Sequence, residues 1–135
     1  MAARGEVTLR WRDGMVFEGA VPGRPPVAVD ADSATALSPV ELLLVAAASC
    51  TAADVVSIMR KQRVVLEALE IRVRGTRREE EPRRFTALHF TFAIRGAGAT
   101  EAQARRAIDL SLEKYCSVVA SLAPDTRISY DLSLL

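Results

Sequence analysis

Ser38-Pro39-Val40-Glu41-Leu42-Leu43-Leu44-Val45-Ala46-Ala47-Ala48-Ser49-Cys50 decides the fold, because it opens a long helix and carries a thiol into that helix's interior. Ser38 suits the N-cap and Pro39 the first helical position. Glu41 completes an S-x-x-E capping box by reaching back to the Ser38 amide. The pattern predicts a helix running to about Lys61, with Arg60, Lys61 and Arg63 at its negative end. From Leu42 to Ile58 the helix is apolar around most of its circumference. Such a helix is expected to be central, covered on several sides by a sheet, another helix or a second subunit.

On either side of this helix the chain alternates as strands do. Val7-Thr8-Leu9-Arg10-Trp11-Arg12, the turn Asp13-Gly14 and Met15-Val16-Phe17-Glu18-Gly19 read as a hairpin, and Val27-Ala28-Val29-Asp30 as a short third strand. Ala31 to Leu37 reads as a loop. After the helix, Ala68 to Gly75 and Phe85 to Ile94 alternate cleanly, joined by a charged link containing Pro82. Thr100-Glu101-Ala102-Gln103 starts a second helix leading towards Tyr115. A short continuation is expected from Cys116 to Leu122, and a last strand from Arg127 to Leu134. The order βββ-α-ββ-α(α)-β, with strands grouped in hairpins, argues for one α+β domain spanning residues 1–135 and a largely antiparallel sheet.

Composition limits the functions open to this fold. The 135 residues hold 18 basic and 17 acidic side chains, a net charge of +1, and the basic ones are interleaved with acids, as in Arg77-Arg78-Glu79-Glu80-Glu81. No one-sign stripe suited to nucleic acid results. Met1-Ala2-Ala3-Arg4-Gly5-Glu6-Val7 has no apolar core of secretory type, and Glu41 and Asp54 interrupt the apolar stretch. A cytoplasmic location without a membrane partner is therefore expected. In that compartment a pair of cysteines is more often free, redox-active or catalytic than a permanent crosslink. The two cysteines and single histidine, His89, fall short of a four-ligand zinc site.

Cys50 and Cys116 are the residues best suited to chemistry. Each also has a plain structural reading as a small buried hydrophobe. Asp54, one turn beyond Cys50, needs a partner in an apolar helix and is expected to hold an arginine or a backbone donor. If a helix starts at Cys116, its N-terminal amides would lower that thiol's pKa. His89 falls opposite the face bearing Leu88, Phe90 and Phe92 and is expected to have a structural partner. No phosphate-binding glycine loop, HExxH or GxSxG motif occurs.

The Ser38–Cys50 stretch, Asp54-Val55-Val56-Ser57-Ile58 and Leu110-Ser111-Leu112-Glu113-Lys114-Tyr115-Cys116-Ser117-Val118 resemble the OsmC/Ohr family, most closely its YhfA-like branch. The resemblance covers nearly the whole chain. It implies an intertwined homodimer whose long central helices are enclosed by sheets, with each site at the subunit interface. It further implies a thiol-dependent peroxidase that reduces organic hydroperoxides without metal or bound cofactor and is recycled by a dithiol. Cys50 matches the peroxidatic cysteine, Cys116 the resolving one, and Arg12, in Arg12-Asp13-Gly14, an arginine that activates the thiolate. One position departs from the pattern: peroxidase members carry a glutamate directly after the helix-starting proline, where this chain has Val40. Glu41 follows one place later, about 100° further around the helix. That departure motivates an alternative, a non-catalytic dimeric module holding a small hydrophobic ligand at its interface.

Overall fold

Alternation and capping along the chain produce ten elements in the computed structural model, which describes residues 5–135. They are β1 (Thr8–Asp13), β2 (Val16–Ala20), β3 (Val27–Asp30), α1 (Pro39–Lys61), β4 (Val65–Arg77), β5 (Phe85–Ala97), α2 (Glu101–Leu110), a π-helical turn (Ser111–Tyr115), α3 (Ser117–Ala120) and β6 (Arg127–Leu134). The first residues of the expected non-secretory start, 1–4, lie outside the described residues. Two compact units result, one ending at Leu43 and one running from Leu44 to Leu135.

The first unit is built on an antiparallel sheet in the order β1-β2-β3. Gly14 takes φ +53 at the hairpin tip, where a side chain would be strained. Trp11 Nε1 closes the tip by donating to the Gly14 carbonyl at 2.9 Å. After β3, the carboxylate of Asp30 gathers the loop: it accepts from the amides of Asp32 (2.9 Å), Ala34 (3.2 Å) and Thr35 (2.9 Å), and from the Thr35 hydroxyl (2.9 Å). These donors hold its pKa below the usual carboxylate range. The unit ends in the first turn of α1, where the capping box forms as the sequence predicts. The Ser38 amide donates to Glu41 at 2.9 Å and the Glu41 amide to the Ser38 hydroxyl at 3.2 Å.

In the second unit β4, β5 and β6 form one sheet in that order. β4 and β5 are antiparallel, whereas β5 and β6 run parallel because helices, not a turn, connect them. The period of two places Leu88, Phe90, Phe92 and Ile94 on one face, all at most 1% exposed. In register beside them on β6 stand Ile128, Tyr130, Leu132 and Leu134. α2 covers this face with Ala104, Ala107 and Ile108, each fully buried. The Tyr130 hydroxyl fixes α2 by donating to Asp109 at 2.8 Å, and its ring meets Phe92 edge-on at 5.7 Å. Thr100 and Gln103 form the capping box that starts α2.

Within α1 only a single stripe, Ala47, Thr51, Val55 and Met59, is buried. The expectation of a helix covered on several sides is thus not met within one chain. By length and composition α1 is apolar enough to cross a membrane, and only 22% of its most apolar window is buried within one chain. Beyond the helix's last residue, Lys61, Arg63 turns the chain with φ 62, while the Val64 amide donates back to the Met59 carbonyl at 3.0 Å.

Candidate functional site around two cysteines

α1 places Cys50 half-buried near its middle, and the junction between the π-helical turn and α3 places Cys116 at 3% exposure. Both thiols are free. They sit on neighbouring segments: the hydroxyl of Thr51, the residue after Cys50, donates to the Cys116 sulfur at 3.5 Å, and Cys50 is among the groups that raise the Cys116 pKa. The two cysteines are thus brought together from elements far apart in sequence.

The local backbone explains how Cys116 arrives there. α2 would continue as an ordinary helix, but the Cys116 amide donates to the Ser111 carbonyl five residues back, at 2.8 Å, which widens the last turn. Cys116 then leaves the helix in an extended conformation, φ −72 and ψ 104, and becomes the N-cap of α3. Its sulfur accepts from the Val119 amide at 3.4 Å and from the Thr51 hydroxyl at 3.5 Å. The expectation of a lowered pKa at this helix start is corrected, because burial dominates and pushes the thiol up. Thr51 and Val119 work in the opposite direction, and the Cys50 thiol adds to the rise. A four-residue helix brings few aligned amides, so its dipole does not outweigh the lost hydration.

Asp54 also differs from expectation. Among the described residues its carboxylate takes neither an arginine nor a backbone donor but the hydroxyl of Ser111, at 2.8 Å. The bond ties α1 to the first residue of the π-helical turn that presents Cys116. Thr51 and Ser111, both fully buried, are the supporting residues that sequence reasoning missed. Their one available signal is a lone hydroxyl among apolar neighbours, in Cys50-Thr51-Ala52 and Leu110-Ser111-Leu112.

The remaining candidates are engaged elsewhere. Arg12, on β1 of the first unit, pairs with Glu18 of β2 at 2.7 Å, and this bond raises its already high pKa. Glu41 accepts from the Ser33 hydroxyl and the Ser38 amide, which hold its pKa down. His89 has the structural partners expected of it: its ring lies 2.7 Å from the Ser129 hydroxyl and 3.0 Å from Asp131, bridging to β6. Among the described residues, no group of three or more His, Cys, Asp or Glu side chains could hold a metal ion.

Comparison with known proteins agrees with this architecture. The family model described as OsmC-like protein matches residues 31–131. Protein YhfA of Escherichia coli strain K12 is 36% identical over 131 residues, covering 96% of this chain and 98% of that protein. The crystal structure of a hypothetical protein from Aquifex aeolicus superimposes with a TM-score of 0.86 at 29% identity, covering 99% of each chain. The organic hydroperoxide resistance protein OhrB of Bacillus subtilis shares the fold at a TM-score of 0.62 and 14% identity, covering 96% of this chain and 98% of that one. With an α+β fold of two three-stranded sheets and a match to the family model from β3's end into β6, the chain belongs to the OsmC-like protein family.

Proposed function

We propose that this protein is a thiol-dependent reductase of organic hydroperoxides, acting as one OsmC-like domain in a homodimer. The observation that carries the reading is the pairing of a half-buried Cys50 with a buried Cys116. In the first step the Cys50 thiolate attacks the outer peroxide oxygen, the O–O bond breaks, and the alkoxide leaves as an alcohol after taking a proton. Cys50 becomes a sulfenic acid. The Cys116 sulfur then attacks the Cys50 sulfur, water leaves, and a disulfide forms. A dithiol reopens it by exchange, ending as its own disulfide. The accessibility difference supports this order, since a peroxide reaches the more open thiol first. The name of the OhrB relative points to the same substrate class. Two free cysteines suit a reducing cytoplasm.

Exposed apolar side chains support the homodimer. Leu43 and Val45 on α1 are 37% and 47% exposed, and Leu9 and Trp11 on β1 are 60% and 68% exposed. A second copy of the chain would cover them. Sedimentation at several concentrations tests this, and a monomer at micromolar concentration would refute it.

Purified, reduced protein should consume an alkyl hydroperoxide in the presence of a dithiol. Cys50→Ser should abolish turnover, and Cys116→Ser should leave a Cys50 sulfenic acid that a dimedone probe captures. Unchanged turnover in Cys50→Ser sinks the proposal. One observation favours the alternative of a non-catalytic hydrophobic-ligand module: the candidate activator Arg12 is already paired with Glu18, and Val40 stands where a catalytic glutamate would be expected. Retention of an apolar molecule without peroxide consumption would decide for it.

A further inference from the structure

The sheet face opposite α2 joins polar side chains that the thiol chemistry does not use. His89 on β5 and Ser129 on β6 are register partners, and Asp131 follows Ser129 on the same face. Nδ1 of His89 stands 2.7 Å from the Ser129 Oγ, and Nε2 stands 3.0 Å from an Asp131 carboxylate oxygen. These partners fix the tautomer of the neutral ring. An ionised carboxylate can only accept, so Nε2 carries the proton and Nδ1 turns its lone pair to the Ser129 hydroxyl, which donates. The serine proton is thereby already directed at a base. His89 and Ser129 also line a cleft of about 550 Å³, whose floor is Ala87, a small side chain in register between Thr76 and Arg127. Arg127 lines the cleft too, as does Arg74, the register partner of His89 on β4. Neither arginine has a carboxylate within 4.0 Å among the described residues. None of the apolar side chains that a second copy would cover, Leu9, Trp11, Leu43 and Val45, lines this cleft.

We propose that Ser129, His89 and Asp131 form an acyl-transfer site, separate from the thiols, that hydrolyses small carboxylic esters. Nucleophile, general base and orienting carboxylate stand in hydrogen-bond reach of one another, and such a constellation is defined by geometry and roles, not by place in the chain. Ser129 Oγ attacks the ester carbonyl carbon as its proton passes to His89 Nδ1. Arg74 and Arg127 supply the positive field for the oxyanion that forms. The bond from the carbonyl carbon to the alkoxy oxygen then breaks, and the proton on Nδ1 goes to that oxygen, which leaves as the alcohol. Water attacks the acyl-serine by the same relay, freeing the carboxylic acid and restoring the Ser129 hydroxyl. Asp131 acts through His89 and is a positioning residue: it holds the Nε2 proton so that Nδ1 stays free to accept. The Asp131 side chain is 78% exposed and that of His89 35%, so water screens the site and its acceleration is modest beside that of an enclosed one.

Hydrolysis of p-nitrophenyl butyrate by the full-length Cys50→Ser/Cys116→Ser variant tests the assignment. No thiol contributes there, so the outcome is independent of the peroxidase reading. Saturable release of nitrophenol, faster than with an equal concentration of free imidazole, is expected. In that background Ser129→Ala and His89→Gln should each lower kcat/KM at least about tenfold. Asp131→Asn should lower kcat by about three- to tenfold and leave KM unchanged, a split that a merely structural role would not produce. Ser129 is exposed, so the melting temperature of Ser129→Ala should stay near that of its parent. In wild-type protein a fluorophosphonate probe should attach to Ser129, as read by peptide mass spectrometry, and His89→Gln should abolish the attachment. Should the double cysteine variant fail to fold, this labelling decides alone. Rates no higher than those of imidazole, turnover unchanged by Ser129→Ala, or a probe that leaves Ser129 unlabelled would each overturn the proposal.

Discussion

Removing the Asp54–Ser111 bond should weaken the fold in a way that differs between the two partners. The bond is an O–H···O contact of 2.8 Å between α1 and the turn that presents Cys116. A hydrogen bond to a charged acceptor contributes about 1.5–3 kcal/mol. Asp54 is half-buried and lines an open groove, so water competes for it and the lower end applies. Ser111→Ala leaves a carboxylate that water can reach, and about 1 kcal/mol is expected to be lost. Asp54→Ala instead strands a fully buried hydroxyl, and about 2 kcal/mol is expected. The double variant should cost less than the sum, with a coupling of about 1 kcal/mol. Urea denaturation of all four proteins at one fixed concentration, under reducing conditions, measures these values. A coupling below about 0.3 kcal/mol, or a costlier Ser111→Ala, would refute the reasoning.

Two further perturbations test the structure. Burial raises the Cys116 pKa, so in the unfolded chain this thiol loses its proton first, near its ordinary value of about 8.5. The folded state then binds more protons in that window, and stability should be complete below it and fall as pH rises towards the folded pKa. Cys116→Ser should remove this alkaline decline, and wild-type and variant curves that run parallel from about pH 7 to 10 would contradict it. Gly75→Ala should cost about 1–3 kcal/mol by overpacking. A Cβ there would stand 2.6 Å from Phe85 Cδ1 and 3.1 Å from Leu44 Cδ2, so a melting temperature equal to wild type would show that the Phe85 ring yields freely.

What the sequence disclosed was set by local chemistry. The S-x-x-E box at Ser38 and the alternation of β3 and β6 locate those elements to the residue, because caps and a period of two are written in adjacent side chains. The parallel pairing of β5 with β6 was not legible, since alternation fixes a strand's faces but not its partner's direction. The π-helical turn is equally silent: Leu110-Ser111-Leu112-Glu113-Lys114-Tyr115 reads as ordinary helix, and the five-residue bond from Cys116 to Ser111 is a tertiary outcome. The same limit applied to Asp54. Its need for a partner was visible, but the partner's identity depended on which element packs opposite.

The setting of Cys116 bears on which step of the proposed cycle limits turnover. A thiol with a raised pKa is mostly protonated at neutral pH, which lowers the thiolate available to attack a Cys50 sulfenic acid. Proximity offsets this, because a neighbour held in place reacts as though highly concentrated. The Thr51 hydroxyl and Val119 amide already point at the Cys116 sulfur and would stabilise negative charge as it develops there. Burial therefore sets the resting protonation, while the two donors lower the cost of leaving it. Disulfide formation should then accelerate with rising pH until Cys116 is ionised, and Thr51→Val should slow it at every pH below that point. Stopped-flow measurement of disulfide formation after one equivalent of peroxide distinguishes the outcomes. A resolution rate independent of pH, or one indifferent to Thr51→Val, would show that ionisation of Cys116 does not govern the step.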